Sequence, residues 1–173
     1  MTASTPRVLV FMGVSSTGKS TVAAMLSGRL GWPFQEGDDL HPAANVAKMA
    51  AGHALTDDDR MPWLEIVAGW IDERIARGEP GVITCSALRR RYRDVLRRPE
   101  VTFVHFTGDR ELILQRMMRR QGHFMPPALL DSQFRTLEDP GPDEQHISVD
   151  VDQTPEEQIE EVIACLGLAD PRS

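Results

Sequence analysis

The chain has 173 residues and a formal net charge of −7, a size typical of one domain with a well-buried core. The negative surface as a whole repels nucleic acid and anionic membranes, so we expect a small-molecule ligand and no nucleic-acid or membrane partner. The two cysteines, Cys85 and Cys165, fit no disulfide or metal-binding pattern, and we expect both to be buried and reduced, as in a cytoplasmic protein.

The first predicted strand, Val8–Met12, runs directly into a glycine-rich loop at residues 13–20. This loop has the phosphate-binding pattern G-x-x-x-x-G-K-[ST] at every fixed position. In this pattern, backbone N–H groups point at the phosphates, Lys19 reaches the β- and γ-oxygens, and the Ser20 hydroxyl binds Mg²⁺. A helical pattern follows the loop, which makes a plain glycine-rich turn the weaker alternative. The predicted nucleotide-binding residues are Gly13, Val14, Ser15, Ser16, Thr17, Gly18, Lys19, Ser20 and Thr21.

Apolar runs recur along the chain, and each is followed by a helical pattern. Such alternation indicates a parallel sheet with helices on both faces. The longest predicted helix covers residues 62–77 and ends at Gly78, and the last begins with a capping box at Thr154 and ends at Gly167. The predicted strands are residues 8–12, 32–34, 82–85, 101–106 and 147–151.

Carboxylates cluster after the second predicted strand, at Glu36, Asp38 and Asp39. Ligands of open parallel sheets bind at the carboxyl ends of the strands. A carboxylate there could take a proton from a substrate hydroxyl or help to hold Mg²⁺, and the alternative is a solvated acidic turn. His41 nearby could orient a ligand or serve only the structure.

Arginines are concentrated in two places. Arg89, Arg90, Arg91 and Arg93 follow the third predicted strand, where they could clamp a carboxylate or phosphate or form a solvated helix face. Residues 119–143 combine a hinge glycine, basic residues and a short apolar turn, as expected of a lid. In and beside this segment, Arg116, Arg119 and Arg120 could neutralise a transferring phosphoryl group, or they form a basic helix face.

Four blocks besides the phosphate loop have a specific resemblance. They are Gly37-Asp38-Asp39-Leu40-His41-Pro42, Leu55-Thr56-Asp57-Asp58-Asp59-Arg60, Cys85-Ser86-Ala87-Leu88 and Gly122-His123-Phe124-Met125-Pro126, with Asn45, Lys48, Tyr92 and Ser132-Gln133-Phe134 beside them. Together they resemble the gluconate kinase family of the thermoresistant type, and the similarity covers nearly the whole chain.

The resemblance implies an α/β fold of the nucleoside-monophosphate-kinase-like type, with three layers and a five-stranded parallel sheet. It implies one phosphate-loop kinase domain over residues 1–173, a substrate-binding segment near 38–61 and a lid near 119–143. The implied reaction is the transfer of phosphate from ATP to D-gluconate, giving 6-phospho-D-gluconate, with Mg²⁺ as cofactor. A homodimer is also implied.

The resemblance also implies roles for single residues. Ser16 stands where the family usually has glycine, and Glu36 where it more usually has aspartate. If position 16 requires a positive φ, serine costs about 1–3 kcal/mol there. The implied catalytic residues are Lys19, Asp38 and Arg120; Arg116 joins the phosphate loop in binding ATP; Ser20 and Glu36 hold the metal; Asp38, His41, Lys48, Arg60, Ser86, Arg89 and His123 bind the substrate.

Two other functions stay open on the residues alone. A nucleoside-monophosphate kinase would need a base pocket in the acid-rich segment 38–61, and a nucleotide-gated switch would bind ATP or GTP without a small acceptor. No guanine-reading N-K-x-D pattern is present, and the lid arginines exceed what nucleotide binding alone requires. A sugar-acid kinase is therefore the preferred hypothesis.

Overall fold

A computed structural model describes residues 7–119 and 127–168, and the structural statements below concern these residues. In chain order the elements are β1 (Val8–Met12), α1 (Lys19–Leu30), β2 (Phe34–Glu36), a 3₁₀ helix (Gly37–Leu40), α2 (Ala43–Ala50), α3 (Asp57–Ala76), β3 (Gly81–Thr84), α4 (Arg90–Leu96), β4 (Val101–Thr107), α5 (Arg110–Arg119), α6 (Pro127–Thr136), β5 (His146–Asp150) and α7 (Pro155–Leu166).

The five strands form one parallel sheet in the order β2-β3-β1-β4-β5. Strand β1 is central, pairing with β3 on one side and β4 on the other, and all its residues are buried. A parallel strand covered on both faces has a continuous apolar sequence, as β1 has. The predicted α/β class and five-stranded parallel sheet are confirmed.

Each face of the sheet has its own apolar core. Because side chains alternate along a strand, Leu9 and Phe11 pack on one side of β1, with residues of α1 and α7. Val10 and Met12 pack on the other side, with Trp63 and other residues of α3 and α4. The phosphate loop leaves β1 between these layers, at the carboxyl edge of the sheet.

Helix α3 and strand β2 differ most from the prediction, whereas β3, β4 and β5 differ by a single residue at their ends. Helix α3 begins at Asp57 and contains Pro62, because Thr56 and Asp59 form a capping box and acidic side chains occupy its positive first turn. Strand β2 lies later than predicted, since the ladder with β3 begins at Phe34 and continues through Gln35 and Glu36. Polar side chains are accommodated there because β2 is an edge strand and only half-buried.

The prediction for the cysteines was half wrong. Cys85 is buried, and burial raises the pKa of its thiol to about 12. Cys165 is exposed, in the last turn of α7. Among the described residues, none of the helices has the length and apolar character needed to cross a membrane.

Candidate active site

A cleft of about 560 Å³ opens at the carboxyl ends of β1, β2 and β3. The phosphate loop, the 3₁₀ helix, the start of α3 and the helices α5 and α6 all contribute to it. The predicted site residues that line it are Ser15, Ser16, Gly18, Lys19, Ser20, Thr21, Asp38, His41, Arg60, Ser86 and Arg116.

The phosphate loop closes on itself around Val14. Lys19 Nζ lies 3.3 Å from the Val14 carbonyl oxygen, and the Thr17 hydroxyl donates to the same oxygen at 3.1 Å. Gly13 has φ 136°, and a Cβ there would lie 2.8 Å from the Phe106 carbonyl oxygen. Only glycine fits at this position, which explains the first fixed glycine of the motif.

Ser16 has a positive φ, at the position where the family usually has glycine. Its φ is 65°, in the left-handed region that glycine occupies more readily. The Ser16 hydroxyl is buried, and no hydrogen-bond partner for it exists in the described part of the chain. The loop therefore carries local strain beside the predicted position of the phosphates.

Ser20 and Glu36 bring two oxygen ligands together at the start of α1. Ser20 Oγ donates a hydrogen bond to Glu36 Oε1 at 3.0 Å. Thr84 at the end of β3 also donates to Glu36 Oε1, and the Thr84 oxygen accepts from the Gly37 N–H at 3.0 Å. Hydroxyl and carboxylate oxygens suit Mg²⁺, and Thr84 holds the carboxylate in place.

His41 is packed beneath the exposed carboxylate of Asp38. Its ring stacks on Trp63 with centroids 4.0 Å apart, and its Nε2 lies 3.8 Å from Asp38 Oδ1. The His41 side chain is 3% exposed, whereas that of Asp38 is 75% exposed. Burial is the main cause that lowers the pKa of His41, with Arg60 adding to it and Asp38 opposing it.

Arg60 faces the cleft from the first part of α3. Its Nη1 donates to Tyr92 Oη at 2.8 Å, and its guanidinium carbon lies 5.3 Å from the centre of the Tyr92 ring. A phosphate loop, an exposed carboxylate and an arginine thus share one cleft. Such an arrangement can hold a nucleotide and an acidic acceptor side by side.

Comparison with known proteins agrees with this geometry. The profile of the shikimate kinase family matches residues 15–166. The gluconokinase of Gluconobacter oxydans (strain 621H) is 52% identical over 160 residues, covering 91% of this chain and 90% of that protein. This chain belongs to the gluconokinase family. The solved structure of a gluconokinase from Sinorhizobium meliloti 1021 is 45% identical with a TM-score of 0.85, over 95% of this chain and 94% of that one.

In this gluconokinase family member, two predicted substrate-binding residues lie outside the cleft lining described above. Lys48 Nζ is 2.6 Å from Asp59 Oδ2, a hydrogen bond that is the main cause lowering the pKa of Asp59 to about 2. Arg89 Nη1 lies 4.0 Å from Asp57 Oδ2. Both cations are therefore drawn toward carboxylates at the start of α3. Arg120 and His123 lie outside the described residues.

The arginines after β3 are paired with carboxylates, although the side chains of Arg90 and Arg91 are also exposed to solvent. Arg90 binds Asp143 with Nη1 2.9 Å from Oδ1, and Arg91 binds Asp57 at 2.5 Å. Arg93 is fully buried against Glu144. These arginines form ion pairs that tie α4 to the segment after α6 and to α3.

The described part of the predicted lid contacts the phosphate loop directly. Gln133 on α6 accepts a hydrogen bond from the Ser15 N–H at 2.7 Å, while Arg110 Nε on α5 donates to Asp131 Oδ1 at 2.8 Å. Farther along, the Glu138 N–H donates to the Leu88 carbonyl oxygen at 2.7 Å. The segment after α6 is thus attached to the body of the domain.

Sequence reasoning gave no site role to several residues that organise this family member's cleft. Trp63 supports His41 and also donates from Nε1 to the Gly37 carbonyl oxygen at 2.8 Å. Asn45 Nδ2 lies 3.2 Å from His41 Nδ1. The residues concerned belong to the blocks that carry the family resemblance or directly adjoin them, as Thr84 adjoins Cys85. The missed residues are Asn45, Trp63, Thr84, Tyr92 and Gln133.

Proposed function

We propose that this protein transfers the γ-phosphoryl group of ATP to D-gluconate, producing ADP and 6-phospho-D-gluconate. The observation that carries the proposal is that the phosphate loop, Asp38 and Arg60 line the same cleft. The gluconokinase relatives point to gluconate as the acceptor. This sugar acid has both a hydroxyl for Asp38 and a carboxylate for Arg60. The proposed location is the cytoplasm.

The phosphate loop is proposed to hold the nucleotide. Backbone N–H groups and the first turn of α1 attract the phosphates, and Lys19 stabilises the charge that develops on them during transfer. Ser20 and Glu36 would hold Mg²⁺, which neutralises phosphate charge when bound. The distance of 3.0 Å between Ser20 Oγ and Glu36 Oε1 supports this assignment.

Asp38 is proposed to receive the proton of the attacking hydroxyl. Its exposed carboxylate lies beside the phosphate loop in the cleft, and His41 and Trp63 limit how the segment beneath it can move. Phosphoryl transfer depends mostly on positioning and charge stabilisation, so a held carboxylate is suited to orient the acceptor. Ser86 lines the same cleft and would add a hydrogen bond.

The lid is proposed to close over ATP and exclude water. Arg116 and Arg119 line the cleft from α5, which supports a role for arginines of this region at the γ-phosphate. The hydrogen bond from the Ser15 N–H to Gln133 supports a direct link between lid and phosphate loop. Arg120 and His123 keep their proposed roles in phosphate and substrate binding, and a homodimer stays a prediction.

Acceptor specificity tests the proposal. We would measure kcat/KM with gluconate, glucose, sorbitol, shikimate and AMP, and ATP turnover without acceptor. The kcat/KM for gluconate should exceed that for glucose or sorbitol by about 10³-fold, because a neutral ligand leaves the Arg60 cation unpaired in a desolvated site. Equal use of glucose and gluconate would overturn the assignment. Preference for AMP, or ATP hydrolysis that no acceptor increases, would favour a nucleotide kinase or a switch.

Arg60→Ala should raise the KM for gluconate and reduce the ratio of kcat/KM for gluconate to that for sorbitol. The KM for ATP should change little. Arg77→Ala is the matched control, because Arg77 follows the other end of α3 and is exposed beside Glu73. An Arg60→Ala enzyme with unchanged acceptor preference would contradict the role of Arg60.

A further inference from the structure

The guanidinium of Arg60 has an unusual partner for an arginine in a cleft. Among the described residues, its hydrogen-bond partner is the neutral phenol of Tyr92, and no carboxylate lies within ion-pair distance. The Tyr92 ring also lies under the guanidinium, 5.3 Å from centroid to carbon. Tyr92 therefore contacts the guanidinium with both its hydroxyl and its ring, while no carboxylate of residues 7–119 or 127–168 forms an ion pair with it.

Toward Arg60, the phenol oxygen of Tyr92 acts only as a hydrogen-bond acceptor. Its single proton is donated to Asp57 Oδ1. A hydroxyl that donates to one partner offers its lone pairs to the other, so Tyr92 Oη accepts from Arg60 Nη1 at 2.8 Å. Tyr92 is 1% exposed, which leaves the ring little freedom to turn.

Asp57 is the anchor of this arrangement. It is the first residue of α3, where the helix dipole favours a negative charge, and Arg91 Nη1 binds its Oδ2 at 2.5 Å. The hydrogen bond from Tyr92 is the main cause that lowers the pKa of Asp57, with the two neighbouring arginines contributing. Burial, then the bond to Asp57, raises the pKa of Tyr92, so the phenol keeps its proton.

We propose that Tyr92 is a positioning residue that sets the preference for an acidic acceptor, by orienting Arg60 without neutralising it. If a carboxylate held Arg60 directly, the arginine would already be paired and would attract an acidic ligand less strongly. Tyr92 lies between Arg60 and Asp57, so that these two charges do not pair directly. Arg91 pairs with Asp57, and the charge of Arg60 is left for the ligand. The inference rests on the proposed function, in which Arg60 binds the gluconate carboxylate.

Tyr92→Phe tests the inference, because it keeps the ring under Arg60 and removes only the hydroxyl. We expect the KM for gluconate to rise about tenfold and the preference for gluconate over sorbitol to fall by a similar factor. The KM for ATP and kcat at saturation should stay within about twofold of wild type. An unchanged preference for gluconate over sorbitol would overturn the inference. An equal loss of kcat/KM with gluconate and with sorbitol would also overturn it.

Asp57→Asn provides a second test that keeps an acceptor for the phenol but removes the charge. It should raise the KM for gluconate about threefold, less than Tyr92→Phe does, and no change would count against the proposal. Asp72→Asn is the matched control, since Asp72 is also on α3 and pairs with an arginine, Arg98, at 2.8 Å. If wild type fails to phosphorylate gluconate, the proposed function itself is wrong, which is a separate outcome.

Discussion

Arg93 and Glu144 form an ion pair whose side chains are 0% and 1% exposed. Arg93 Nε donates to Glu144 Oε1 at 2.6 Å, and its Nη1 donates to the Ala87 carbonyl oxygen at 2.8 Å. Ala87 follows Ser86 of the cleft and has φ 45°, a conformation that costs an alanine about 1–2 kcal/mol. The buried pair therefore braces a strained loop that carries a proposed substrate contact.

We expect Glu144→Gln to lower the free energy of unfolding by about 3–5 kcal/mol, because it leaves the buried guanidinium of Arg93 without a counter-charge. Urea denaturation monitored by circular dichroism measures the loss. Asp94→Asn is the control, since it breaks the exposed pair with Arg97 and should cost at most about 1 kcal/mol. Equal losses in the two variants would contradict the bracing role.

The same pair predicts how stability depends on pH. Burial by itself would raise the pKa of Glu144, but the hydrogen bonds from Arg93 and the Gly141 N–H outweigh burial and lower it below 4.5. Because the folded-state value is lower than the unfolded one, the contribution is fully present above the unfolded pKa and is lost as pH falls through the folded pKa. Urea midpoints measured at decreasing pH below about 5 should fall more steeply in wild type than in Glu144→Gln.

Lys19→Met should lower kcat by about 10²-fold or more while the protein stays folded, because the ammonium stabilises charge that develops on the transferring phosphate. A coupled assay gives the rate, and a thermal melt compared with wild type checks the fold. Arg77→Met removes an exposed cation on the far end of α3 and should leave the rate unchanged. Near-normal turnover of Lys19→Met would remove the basis for the phosphate-loop assignment.

Asp38→Asn should lower kcat by about 10²-fold, a typical contribution of a general base. Separate measurement of kcat and KM for gluconate distinguishes the possible roles of this carboxylate. A change confined to KM would make Asp38 a binding residue only. Asp39→Asn, which changes the neighbouring exposed acid, serves as the control.

Ser16→Gly should raise the free energy of unfolding by about 1 kcal/mol in the absence of nucleotide. The substitution removes a serine at φ 65° and a buried hydroxyl without a partner in the described residues. Glycine also gains entropy in the unfolded chain, which offsets part of the gain. Gly18→Ala, at φ 85°, should lower the free energy of unfolding. A destabilised Ser16→Gly would show that the serine makes a favourable contact in the folded loop.

Local features of this protein could be predicted from the sequence because all their parts lie close together in the chain. The phosphate loop occupies eight consecutive residues, 13–20, from the end of β1 into the first turn of α1. The capping box of α7 needs only Thr154 and Glu157, and both of its hydrogen bonds are present. The buried strands β1 and β4 could be recognised from their apolar runs, whereas the half-buried edge strand β2 was placed too early.

Only the tertiary structure decided what each arginine does. Arg60 and the cluster after β3 have the same chemistry, yet Arg93 is buried, Arg91 is paired and Arg60 faces the cleft. Their partners Asp57, Asp143 and Glu144 are far from α4 in the chain. An arginine's role depends on which carboxylate the packed helices bring within hydrogen-bond distance, and a sequence pattern contains no such distance.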